Sequence, residues 1–137
     1  MAQTVVLEGM AIGYVGFNTA SNVSLTATAS PGTTVISSWV ATGINTSYII
    51  IIASVNLYNS ATSAQTETLQ IFVDGNYINV GTVTVPAGGY AQATFNYVVA
   101  NPLPGQHNIG LAAYGASAGL TAEYAAMTAV VVTSSLP

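Results

Sequence analysis

Apolar and polar residues alternate along most of this chain with the two-residue period of a β-strand. The clearest run is 48–58, where Ile49, Ile51, Ala53, Val55 and Leu57 share one face and Tyr48, Ile50, Ile52, Ser54, Asn56 and Tyr58 the other. In 66–73, Leu69, Ile71 and Val73 point inward while Thr68, Gln70 and Phe72 point outward. In 90–99, Ala91, Ala93, Phe95, Tyr97 and Val99 line one face, and in 107–115 His107, Ile109, Leu111 and Ala113 do so. Further strands are expected over 3–17, 22–29, 33–42, 77–85 and 122–133. The last contains helix-tolerant alanines, but Val130, Val131 and Val132 favour a strand. No segment has helical amphipathicity.

Turn residues separate these runs. Asp74-Gly75 between two apolar strands is the signature of a tight hairpin with positive φ at its centre. Gly88-Gly89 after Pro86, and Pro104-Gly105, mark further reversals. Strands recurring roughly every ten to thirteen residues predict two packed sheets. The expected fold is all-β: an immunoglobulin-like two-sheet β-sandwich over 21–137, preceded by an extended apolar N-terminal strand in 1–20. Its core should contain Ile49, Ile51, Val55, Leu57, Leu69, Ile71, Phe95 and Leu111.

The stretch 48–115 resembles the CARDB-like group of immunoglobulin-fold modules of bacterial and archaeal surface proteins. The features that carry the resemblance are VNLYNSATSA at 55–64, IFVDG at 71–75, VTVPAGG at 83–89, FNY at 95–97 and PGQHNI at 104–109. It implies a spacer, adhesion unit or building block of a filament or envelope. The N-terminal 45 residues depart from that pattern, being longer and more apolar than one edge strand requires.

Composition narrows the function classes. The 137 residues include no Lys or Arg, four acids (Glu8, Glu67, Asp74, Glu123) and one His, and 51% are apolar. Only 3% are charged, against about a quarter in ordinary domains. Without cations, direct nucleic-acid binding and attraction to an anionic membrane are not expected. Without cysteine there are no disulfides and no thiolate sites. No apolar run approaches the ~20 residues of a membrane helix. The first residues carry no positive n-region of a secretory signal, so either the protein is not exported by that route or a signal has been removed.

A surface with so little charge is poorly hydrated and weakly self-repelling, so copies should associate. In acid, a typical protein acquires the charge of all its Lys and Arg, whereas this one gains only His107 and its N-terminus. The composition therefore resembles that of exterior proteins of heat- and acid-loving archaea and their viruses. With few titratable groups, stability should vary little with pH.

Candidate chemistry is sparse. His107 is the only imidazole and reads as a polar residue at a strand rim. Glu67 and Asp74, seven apart, fall on opposite strand faces and do not form a carboxylate pair. No cofactor, metal or catalytic residue is expected. Trp39 and the tyrosines fit protein contacts better than sugar stacking. Asn22 and Asn45 begin Asn-X-Ser sequons, candidate N-glycosylation sites. Val5, Val6, Leu7, Met10, Ile12, Val15 and Phe17 make both faces of the N-terminal segment apolar. That fits a strand buried between layers or one that inserts into a neighbouring subunit.

The expected function is therefore a non-enzymatic structural subunit of an extracellular assembly, a viral capsid or envelope component or a pilus-like filament. Its partners would be itself and other shell or filament proteins, in a virion or at the cell surface. The alternative is a carbohydrate-binding or adhesion module.

Overall fold

The computed structural model describes the backbone of residues 6–7, 10–115 and 119–134, and the side chains of 18–115 and 119–133. Nine strands follow in chain order: β1 (Val6–Leu7), β2 (Met10–Ser24), β3 (Thr33–Thr42), β4 (Thr46–Asn59), β5 (Gln65–Val73), β6 (Asn76–Val85), β7 (Tyr90–Ala100), β8 (Gly105–Tyr114) and β9 (Leu120–Ser134). No helix occurs among the described residues, so none is long and apolar enough to cross a membrane.

The strands form two antiparallel sheets, ordered β1-β2-β9-β4-β7 and β3-β8-β5-β6. The protein is thus the expected all-β two-sheet sandwich. Setting aside the two-residue β1, every connection except the β5–β6 hairpin crosses between the sheets, which gives the eight-strand order of a jelly roll. Alternation specifies which residues face inward but carries no information about which strand lies beside which. That order appears only when distant segments pair.

Between the sheets lies the core. Ile49, Ile51, Ala53, Val55 and Leu57 of β4 and Ala125, Met127, Ala129 and Val131 of β9 meet Leu69 and Ile71 of β5 and Ile109, Leu111 and Ala113 of β8. Seven of the eight expected core residues are fully buried, and Phe95 is half-buried because β7 is an edge strand. Burying each large aliphatic side chain stabilises the fold by about 1.5–3 kcal/mol.

The β5–β6 hairpin is built as its sequence predicts. Asp74 and Gly75 have φ of 51° and 83°, the two positive values of a primed turn that matches strand twist. In the turn joining β6 to β7, the Gly89 N–H donates to the Pro86 carbonyl at 3.0 Å, and Gly88 takes φ 62°.

One expectation is corrected and one refined. The strands expected over 3–17 and 22–29 are, from Met10 to Ser24, one strand paired with β9, so the proposed boundary between residues 20 and 21 falls inside β2. Asn22, at φ 55°, lies within this strand without ending it. Gln70 and Phe72 do face away from the core, but both are buried. The turn before β3 covers Gln70: its amide donates to Ser30 Oγ and Asn79 Oδ1, and its oxygen accepts from the Gly32 N–H, each at 3.0 Å. The Phe72 ring packs against Tyr77 and lies over Gly110.

Candidate assembly interface

The jelly-roll order gathers loops at two ends. One end carries the β3–β4, β5–β6 and β7–β8 connections, and there the single histidine is held. His107 Nδ1 lies 2.6 Å from Asp74 Oδ2, and Nε2 lies 2.6 Å from the Leu103 carbonyl oxygen and 3.1 Å from Thr42 Oγ1. Both the carboxylate and the carbonyl can only accept, so this geometry is satisfied in full when both ring nitrogens donate, in the imidazolium form. The bond to Asp74 raises the His107 pKa and outweighs the opposing effect of burial. For Asp74, partial burial pushes the carboxyl up, but the bonds from His107 and the Asn108 N–H (2.8 Å) prevail and lower it.

Thr42, His107 and Asp74 stand in the sequence hydroxyl, imidazole, carboxylate, the arrangement used to activate a nucleophile. A base needs a lone pair toward the hydroxyl. Here Nε2–H is directed to Leu103, and the Thr42 hydroxyl is 2.7 Å from the same carbonyl. The group acts as a clasp binding the end of β3, the β7–β8 loop and the β5–β6 hairpin. The rim position expected for His107 is correct, but the ring is buried. Its partner Asp74 is 33 residues earlier, where the hairpin already accounted for an Asp.

Glu67 is the second group the sequence did not explain. It shares the inward parity of Leu69 and Ile71, and its side chain is fully buried with neither carboxylate oxygen hydrogen-bonded. Gly115 lies against it, so close that a Cβ there would sit 2.7 Å from Glu67 Oε1. Burial pushes the Glu67 carboxyl up to about 7. Glu67 lies near the start of β5 and Asp74 immediately beyond its end, and no cluster of three or more metal-binding side chains occurs among the described residues.

With Glu67 buried and Asp74 clasped, the described surface carries almost no charge. What it presents is uncharged: mostly Ser, Thr, Asn and Gln, with apolar side chains exposed among them. On the outer face of the five-stranded sheet, Ile50 of β4 lies opposite both Val98 and Val130, and Tyr48 opposite Val132. Tyr48, Ile52 and Val98 there are exposed. At the clasp end, Ile44 and Leu103 project at 86% and 77% exposure, with Ile44 beside a shallow depression lined by Ala41, Thr46 and Val131. On the outer face of the other sheet Trp39 is 61% exposed.

Of the expected assembly segment, Val5 lies outside the described residues. Val6 and Leu7 form β1, which pairs with the start of β2. Met10, Ile12, Val15 and Phe17 lie on β2, whose backbone pairs with β9 of the same chain from Met10↔Ser134 to Ser24↔Thr121. Asn22 and Asn45, the sequon residues, are both exposed.

No protein-family model and no curated protein matches this sequence. Solved structures do match its fold. A chain from infectious bursal virus-derived T=1 particles aligns at 13% identity over 93% of this chain, TM-score 0.51, and this chain spans 37% of its length. The globular domain of zebrafish complement 1qA aligns at 5% identity over 85% of this chain and 94% of its own, TM-score 0.46. The CBM36-1 domain of a multidomain xylanase from the hindgut metagenome of Trinervitermes trinervoides aligns at 14% identity over 82% and 96%, TM-score 0.36. At 13% identity the likeness to the T=1 particle chain is one of fold alone.

Proposed function

We propose that this protein is a structural subunit that associates with copies of itself in a virion shell or an extracellular filament. The observation that carries the reading is its exterior: nearly free of charge, with exposed Ile44, Tyr48, Ile52, Val98 and Leu103 on the sheet and loops of a jelly roll. Such a surface gains by burial against a like surface and has no charge repulsion to overcome. The strand order supports the reading, since shells of jelly-roll subunits are a recurring use of this fold. The likeness to the T=1 particle chain is consistent with it in fold.

Sedimentation of the purified chain over a range of concentrations, with electron microscopy of the products, tests this. Large regular particles or fibres are the expected result. A monomer at all concentrations, and in the presence of candidate shell proteins, overturns it.

One observation favours a second reading, a carbohydrate-binding module. Exposed Trp39 and half-buried Tyr77 share an outer sheet face with the exposed amide of Asn79, which reaches Tyr114 Oη at 3.4 Å. Saturable binding on a glycan array, abolished by Trp39→Ala in a chain that stays monomeric, would reverse the order.

A further inference from the structure

The two sheets have four edges, and three of them are blunted. β1 is two residues long and pairs only with Met10 and Ala11; beyond it β2 is the edge, irregular between Ile12 and Tyr14 and again at Asn22, φ 55°. The β3–β8 ladder shifts register between Thr34 and Ile36, and the β5–β6 ladder shifts between Leu69 and Gln70, leaving Val80 unmatched beside Gly81. Short strands and bulges are the devices by which proteins prevent strands from adding at an edge. The fourth edge, β7, has none of them. Its ladder with β4 runs from Tyr48↔Ala100 to Tyr58↔Tyr90 with no shift. Its sequence, YAQATFNYVVA, contains no charge, proline or glycine. Among the described residues no strand pairs with its far side.

We propose that β7 is where a second copy of this chain adds, its own β7 pairing antiparallel across a twofold axis normal to the sheet. Two five-stranded sheets then continue into one. The proposal rests on the self-assembly reading above and names the surface through which it begins.

Three features select this occupant. An open, regular row of N–H and C=O groups is complementary to another extended strand and to little else. The strand offered must tolerate an uncharged edge: a charged partner finds no opposite charge along β7, whereas a second β7 meets it without repulsion. Third, the inward side chains Phe95, Tyr97 and Val99 are only half-buried, because they pack on the core from its rim. A twofold of this orientation keeps the inward faces of both strands on one side, so each copy extends cover over the other's rim. The contact is isologous and closes at two copies, leaving the Ile44 and Leu103 end and the outer sheet face for higher assembly.

The absence of cysteine makes the geometry measurable. Gln92, Thr94, Asn96 and Val98 point outward from β7 and are exposed. Each is changed to Cys, and the variants are oxidised singly and in pairwise mixtures, with Ser37→Cys on the exposed face of β3 as control. A disulfide needs Cα atoms about 4.4–6.8 Å apart. Twofold antiparallel pairing therefore predicts dimers only in those combinations whose two position numbers add to one constant. In parallel, Thr94→Lys with Asn96→Lys places like charges across the axis. It should raise the dimer dissociation constant at least tenfold while leaving the far-UV spectrum and melting temperature unchanged. If the wild-type chain assembles but cross-linking shows no constant sum, or the double-lysine chain assembles equally well, the β7 contact is wrong and assembly uses another surface. If the wild-type chain stays monomeric, the contact and the self-assembly reading fall together.

Discussion

Two carboxyl groups in this protein have opposite fates, and together with the histidine they determine how it responds to acid. Glu67 is raised from an ordinary 4.5 to about 7 by burial, so between those values the folded chain holds a proton that the unfolded chain has released. Stability must then fall as pH rises through that window, by at most about 3 kcal/mol. Asp74 is lowered, so its contribution is present above the ordinary 3.8 and is lost as pH falls through its depressed value. His107 is raised, so its contribution is complete below the ordinary 6.5 and is lost as pH rises through its elevated value. All three place the optimum in mild acid. The shortage of titratable groups argues for a flat profile, and the burial of one of them without a partner argues for a slope. Melting temperatures should be higher at pH 4.5 than at pH 8. Glu67→Gln should remove most of that difference, whatever its effect on absolute stability, because an amide does not ionise. An undiminished difference in the variant would mean that Glu67 is not its source. His107→Asn should lose about 1–3 kcal/mol at pH 5.5, because Asp74 Oδ2 and the Leu103 carbonyl both lose the imidazole as donor. A melt unchanged at that pH would show that the clasp contributes nothing.

At the scale of the strand, two-residue periodicity was enough to locate nearly every element, since an inward face is visible wherever Ile, Val and Leu recur at even spacing. The Asp74-Gly75 hairpin was legible for the same reason: only residues tolerant of positive φ suit its turn. What alternation does not encode is contact between faces of neighbouring strands. Glu67 could have been flagged from its parity with Leu69 and Ile71, but its lack of a partner depends on what surrounds it. In the sequence Gly110 is a glycine inside the expected strand 107–115 and nothing more. Its position is dictated by β3 and β5 on either side: a Cβ there would lie 2.3 Å from the Phe72 ring and 2.4 Å from the Ile36 carbonyl oxygen. The ring has limited room to turn and the carbonyl belongs to the ladder, so relief requires the sheet to deform. Gly110→Ala is therefore expected to destabilise the protein by at least about 1–3 kcal/mol. Chemical denaturation of that variant beside Phe72→Leu/Gly110→Ala separates the two clashes. Recovery in the double variant would assign the cost to the ring, and no recovery would assign it to the backbone.

Taken whole, the molecule has a conventional interior and an unconventional exterior. Its core is a dense aliphatic layer between two sheets, but its surface lacks the ions that normally keep copies of a protein apart. This difference bears directly on how association should depend on solution conditions. Contacts steered by charge weaken as salt shortens the screening length from about 30 Å at 0.01 M to 3 Å at 1 M. Here no Lys or Arg exists to form such contacts, and Glu67 and Asp74 are engaged within the fold. Association through Ile44, Tyr48, Ile52, Val98, Leu103 and an uncharged β7 edge should depend instead on apolar burial and backbone pairing. Sodium chloride between 0.01 and 1 M should then change the association constant less than about threefold. Sulfate, which is excluded from protein surfaces and strengthens apolar burial, should increase it. Warming from the cold should also promote association, because apolar stabilisation weakens on cooling. Sedimentation across these conditions reads all three. A steep loss of assembly with sodium chloride would point to the remaining acids, Glu8 or Glu123, or to the chain termini as the contact, and would remove the premise that an uncharged exterior is what brings the copies together.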